Sequence, residues 1–151
     1  MKQILTILVF TVLFTPKLLF SQDAPKKANG IIVKTDKSHL DLYKSTLPFL
    51  VDEGYEFQLL EKDAGIIQTK PHSINGGQIK LMCSIRQKDS TTIIKITGLC
   101  TIGTISLGGI SDDSWSKVTN RGMKGSLFKN AWIHMESIAK KIDGTIEYQI
   151  K

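Results

Sequence analysis

Seventeen residues near the C-terminus, Ser126 to Ile142 (SLFKNAWIHMESIAKKI), constrain the fold more than any other stretch. Advanced at about 100° per residue, Leu127, Phe128, Ala131, Trp132, Met135, Ile138, Ala139 and Ile142 fall within an arc of about 140°. Lys129, Glu136, Ser137, Lys140 and Lys141 fill the rest of the circle. The spacing predicts a helix over 126–142 with a stripe that needs a broad apolar surface beneath it, and the strand-like segments that precede it are the natural supplier. Lys140 and Lys141 in the last turn complement the helix dipole, and Gly144 ends the helix.

The supplying surface is best specified between Gln78 and Thr101. Ile79, Leu81, Cys83 and Ile85 alternate onto one face, as do Ile94, Ile96, Gly98 and Cys100. A turn centred on Asp89-Ser90 pairs Ile85 with Ile94, Cys83 with Ile96, Leu81 with Gly98 and Ile79 with Cys100, so that apolar or small residues meet throughout. Gly98 opposite Leu81 leaves room for a side chain of the C-terminal helix. Further strands are expected at Gly30 to Thr35, at Tyr55 to Glu61 paired through a Lys62–Gly65 turn with Ile66 to Lys70, and, as an edge, at Thr145 to Ile150. A first helix is expected over His39 to Glu53, N-capped by Ser38 with Asp41 in a capping-box position. Its apolar face is centred on Leu40, Tyr43, Leu47, Leu50 and Val51 and widened by Leu42 and Phe49, with Pro48 on the polar side, where a kink is expected. Pro71 to Gly77 and Gly103 to Gly125 carry no regular pattern and read as loops.

The N-terminus has a different character. Met1-Lys2-Gln3 is a short basic start, Ile4 to Phe14 is an unbroken run of apolar residues and Thr, and Ser21 is a small residue for cleavage. This is the pattern of a secretory signal peptide over residues 1–21. The run falls well short of the roughly 20 residues of a spanning helix, so no stable membrane span is expected after cleavage. Residues 22–29 are polar and read as a flexible leader, and 30–151 as a single domain. The whole chain has 20 Lys plus Arg against 14 Asp plus Glu, a net +6 that falls to +4 when Lys2 and Lys17 leave with the signal. The remaining cations are scattered without interleaved aromatics, which argues against a nucleic-acid partner.

Candidate chemistry is sparse. Cys83 and Cys100 share a face of neighbouring strands but are offset by roughly 13 Å along them, too far for a disulfide, whose Cα atoms lie within about 7 Å. Two buried thiols are expected. His39, His72 and His134 share no metal-ligand spacing and stand in no nucleophile context, so neither metal nor cofactor is expected. His134 reads as a helix-flank residue. In the long loop, Trp115 follows Asp112-Asp113 and precedes Arg121. Trp115 and Arg121 are the candidate interaction surface, an aromatic anchor beside charges, and the opposing reading makes Trp115 a plug at one end of the core. The Gly76-Gly77 and Gly108-Gly109 pairs lack the Lys and Ser/Thr of a phosphate loop.

Lys37 to Phe57 (KSHLDLYKSTLPFLVDEGYEF) followed by Glu61 to Pro71 (EKDAGIIQTKP) resembles the opening of secreted bacterial domains with a helix-grip or TBP-like fold, among them BamC-like modules and exported families of unknown function. The resemblance implies an envelope location, a non-enzymatic role and no catalytic residues to carry over.

Together these readings predict an α+β domain of order β-α-β-β-β-β-α-β, with a twisted, mainly antiparallel sheet packed on the long C-terminal helix. The expected function is an exported, periplasmic or extracellular, non-catalytic binding module with an envelope protein as partner. The alternative is a carrier of a small apolar ligand held between the sheet and the C-terminal helix. Mass spectrometry of the protein recovered from an exporting cell should give a mature N-terminus at Gln22; a chain that keeps Met1 would overturn the signal reading.

Overall fold

The structure, a computed structural model, describes residues 23–150 except Thr104, Gly108, Gly109 and Asp113, with only the backbone described for 105–107 and 110–112. The expected signal segment, 1–21, lies outside the described residues. The elements are β1 (Gly30–Thr35), α1 (His39–Asp52), β2 (Phe57–Glu61), β3 (Ile66–Thr69), β4 (His72–Ile74), β5 (Gly77–Lys88), β6 (Thr91–Thr101), β7 (Ile105–Leu107), β8 (Ile110–Asp112), β9 (Ser116–Lys117), α2 (Leu127–Lys141) and β10 (Thr145–Gln149). The architecture is α+β. An eight-stranded antiparallel sheet runs β10-β1-β6-β5-β3-β2, with β4 added to β5 and β9 to β6, and β7-β8 forms a separate hairpin. No helix among the described residues is long and apolar enough to cross a membrane.

The β5–β6 pairing is the one the alternation predicts, including Cys83 opposite Ile96 and Leu81 opposite Gly98. Asp89, in the two-residue connection, takes a positive φ of 54°, a conformation that Asp tolerates because its short polar side chain bonds locally. The inward residues of this hairpin are buried with Ile31 and Val33 of β1 and Ile67 of β3. Above them lies α2, N-capped by Ser126, whose side chain accepts from the Lys129 amide. Trp132, Met135 and Ile138 are fully buried against the sheet, each contributing about 1.5–3 kcal/mol of transfer free energy.

Gly98 is the point of closest approach. A Cβ built there would lie 3.1 Å from the Met135 sulfur and 3.1 Å from a Val118 methyl, so only glycine leaves both neighbours in place. Cys83 and Cys100 are free and buried.

α1 packs on the same face, capped as predicted: the Ser38 hydroxyl accepts from the Asp41 amide at 3.2 Å and donates to the Asp41 carboxylate at 2.6 Å. Its buried face is rotated from the predicted one. Leu42, Tyr43, Thr46 and Leu50 are buried, while Val51 is 55% exposed. Thr46 can occupy the core because its hydroxyl donates to the Leu42 carbonyl at 2.7 Å, removing most of the desolvation cost that a count of apolar residues assigns it.

Four strands are added to the predicted order. β4 continues the line of β3 along β5 after a break at Lys70-Pro71, where Pro71 has no amide to donate. β7, β8 and β9 occupy the expected loop 103–125, and at two or three residues each they are too short to show a period. β2 begins at Phe57 rather than Tyr55, since the Tyr55 amide donates to Leu50 O and belongs to the end of α1. The expected flexible leader is anchored from Ala24 onward. Buried Asn120 donates its side-chain amide to the Ala24 and Pro25 carbonyls and receives Lys129 Nζ, while its main chain pairs with Lys27 and Ala28.

Replacing Gly98 by leucine should displace α2 and lower stability by about 1–3 kcal/mol in urea denaturation. A midpoint equal to that of the unaltered protein would show that the Met135–Gly98 contact does not position the helix.

Candidate functional site

With both helices on one face, the outward alternation of the sheet is left uncovered on the other among the described residues. Its register is explicit. Ile32, Lys95, Ser84 and Ile66 form one row across four strands, and Thr97, Met82 and Gln68 form the next. Lys117, Leu99 and Lys80 follow toward one end, and Lys34, Ile93 and Arg86 toward the other. This face carries a concavity of about 870 Å³. Its floor contains the aliphatic side chains of Ile32, Ile66, Met82, Ile93 and Leu99, of which Met82 is 47% and Leu99 42% exposed. Its cations are Lys80, Arg86, Lys88, Lys95 and Lys117, and among the described residues no Asp or Glu lines it. Two acids do border the face. Glu147 on β10 is held by Lys34 at 2.6 Å, and Glu61 lies on the edge strand β2 opposite Ile66.

The size is that of a small-molecule site, and the lining combines an apolar floor with a few charges of one sign.

Trp115 belongs to this face. It is half-buried just before β9, and the Lys80 ammonium lies 4.1 Å from its ring centroid, a cation–π contact at the rim. Arg121 does not join it. Its guanidinium stacks on Phe128 at 3.9 Å, at the start of α2 and therefore on the helix side. The two predicted site residues thus stand on opposite faces of the sheet. Asp113 lies outside the described residues, and Asp112 is described only as backbone of β8. The floor itself escaped sequence reading, although a signal was present: Met82, Ile93 and Leu99 occupy positions that the alternation assigns to solvent.

Titratable groups gather elsewhere, where α1, β4 and α2 meet. The Tyr55 and His72 rings are 4.4 Å apart, His72 and His134 are 6.2 Å apart, and Glu53 pairs with Lys141. The hydrogen bond from Lys141 holds the Glu53 carboxyl below its usual range. Burial, helped by the charge of His72 and opposed by Glu53, lowers the His134 pKa. Burial raises the Tyr55 phenol, and its hydroxyl has no hydrogen-bonding partner among the described residues. These groups do not make a metal site: among the described residues no three His, Cys, Asp or Glu side chains are placed to hold an ion. Neither thiol is an activated nucleophile. Burial pushes Cys83 up to about 12 and raises Cys100, so both are protonated at neutral pH.

No protein-family model matches this chain, and no curated protein matches it at a significant level.

The lowered His134 pKa has a consequence for stability. Between that value and the unfolded value near ~6.5, the unfolded chain binds more protons than the folded one, so stability rises with pH there and falls on acidification from neutrality. The Glu53 contribution has a separate window, being lost only as pH drops below about 4.3. The urea midpoint should therefore fall between pH 7.5 and 5.5, and His134→Gln should flatten that slope; an unaltered slope in the variant would remove His134 as its source.

Proposed function

We propose that this protein is an exported, non-catalytic binding module of the cell envelope that takes its partner on the helix-free face of the sheet. The observation that carries the reading is the concavity of about 870 Å³ with an aliphatic floor and cations of one sign. Side chains of this kind hold a partner by area and charge. The residues that could move a proton, His72, His134 and Glu53, stand together on the other side of the sheet, away from that floor. We read the fold as a helix-grip or TBP-like sheet; in support, α2 lies along β6 and β1 and also touches β4 and β5. The export step rests on the N-terminal pattern alone.

The carrier alternative, with its ligand between sheet and α2, draws no support from the packing there. Trp132, Met135 and Ile138 fill that interface, and Met135 reaches the Gly98 backbone. A ligand space of useful size is found instead on the opposite side of the same strands.

A photoreactive phenylalanine analogue at Thr97, in the middle of the face, tests the reading in the exporting cell, with the same analogue at Lys44 on the exposed side of α1 as control. Adducts should form from position 97 and not from position 44, with folding unchanged by circular dichroism. Equal labelling from both positions, or none from 97, would remove the face as the binding surface.

A further inference from the structure

We propose that the occupant of the helix-free face is a free, single-chain amphiphile with an acidic headgroup, a long-chain carboxylate or alkyl phosphate; this rests on that face being the binding surface. Three of the five aliphatic residues on the floor, Leu99, Met82 and Ile66, are ordered diagonally, with Ile32 and Ile93 to one side. Leu99 is opposite Lys80, and one diagonal step leads to Met82; Met82 is opposite Gln68, and one further step leads to Ile66. With diagonal neighbours about 7–8 Å apart, this band runs for about 15 Å across three strands, an extended track one side chain wide. Such a shape fits an alkyl chain better than it fits a globular partner.

The band has a cationic head. Lys117 and Lys80 flank Leu99 on its two sides, one on β9 and the other on β5. The other end of the face also carries cations, Arg86, Lys88 and Lys95, but they are spread over three rows of the sheet. Lys34 beside Ile93 is already neutralised by Glu147, and the ring of Trp115 stands at the Lys80 end. The acidic headgroup therefore belongs between Lys80 and Lys117, beside the Trp115 ring, with the alkyl chain over Met82 toward Ile66.

The same features disfavour two macromolecular occupants. A single-stranded nucleic acid would use aromatic platforms under its bases, and this floor is aliphatic. A peptide adding as a strand would use an open sheet edge, and β1, β6, β5 and β3 beneath the concavity each lie between two neighbouring strands.

The test is calorimetric titration of the secreted protein with dodecanoate and dodecyl phosphate below their micelle concentrations, with decanoate, octanoate and dodecyltrimethylammonium in parallel. One-to-one binding is expected, tightening by roughly two- to fourfold per added methylene and weakening as salt is raised. Lys80→Glu with Lys117→Glu should weaken dodecanoate at least tenfold, and Met82→Asp should do the same. Both are surface changes, and unaltered thermal midpoints would show that the fold is kept.

Equal binding of the cationic amphiphile, or indifference to charge reversal at Lys80 and Lys117, would overturn the proposal. So would binding confined to vesicles of anionic phospholipid, or to polyglutamate as a model acidic peptide. Failure of the underlying reading looks different. If dodecanoate binds but its NMR shift changes map to α1 and α2, the face itself is wrong; if position 97 cross-links to a protein while dodecanoate does not bind, the face stands and the amphiphile falls.

Discussion

The contact between Met135 and Gly98 is the constraint on which the rest of the structure depends. A helix carrying Trp132, Met135 and Ile138 on one stripe can bury all three only if a strand beneath lets its backbone come close. Gly98 does so at the centre of β6, opposite Leu81. Once α2 is seated there, α1 joins it on the same side, and among the described residues no helix covers the outward side chains of β1, β6, β5 and β3. The concave face is the complement of that packing choice.

That face would be an unremarkable solvated surface if its residues were polar. Instead aliphatic side chains alternate with four lysines and Arg86, and among the described residues no carboxylate lines the concavity. An uncompensated group of like charges raises the local potential and draws anions, while the aliphatic floor favours any ligand that removes it from water. Each property alone is common on protein surfaces; their coincidence within one concavity limits what can bind there.

On the other side of the sheet the polar groups have structural work. Asn120 ties residues 24–28 to the chain entering α2, and the Glu53–Lys141 pair links the end of α1 to the end of α2. The pair is partly exposed, so its contribution is small, at most about 1 kcal/mol. His134 lies between these elements, and burial is the main cause of its lowered pKa.

How much could be read from the chain follows from the range of the interactions involved. Ser126 to Ile142 and the Gln78–Thr101 hairpin were legible residue by residue, including the turn, the pairing and the two unbridged thiols, because helical period and strand alternation are local. The same locality set the limits. The true buried side of α1 depended on Thr46 finding the Leu42 carbonyl and on where the sheet lay, so Val51 was misplaced. β4 and β9 exist only because β5 and β6 offer free edges to two- and three-residue segments. Trp115 and Arg121, six positions apart, were separated by the sheet between them. Most of all, Met82, Ile93 and Leu99 looked like imperfections in an alternating pattern. The sequence by itself determined the central hairpin and the helix that lies on it. Tertiary structure alone decided that both helices share one face, since coverage is a relation between distant segments, and only that relation turns those outward side chains into a floor.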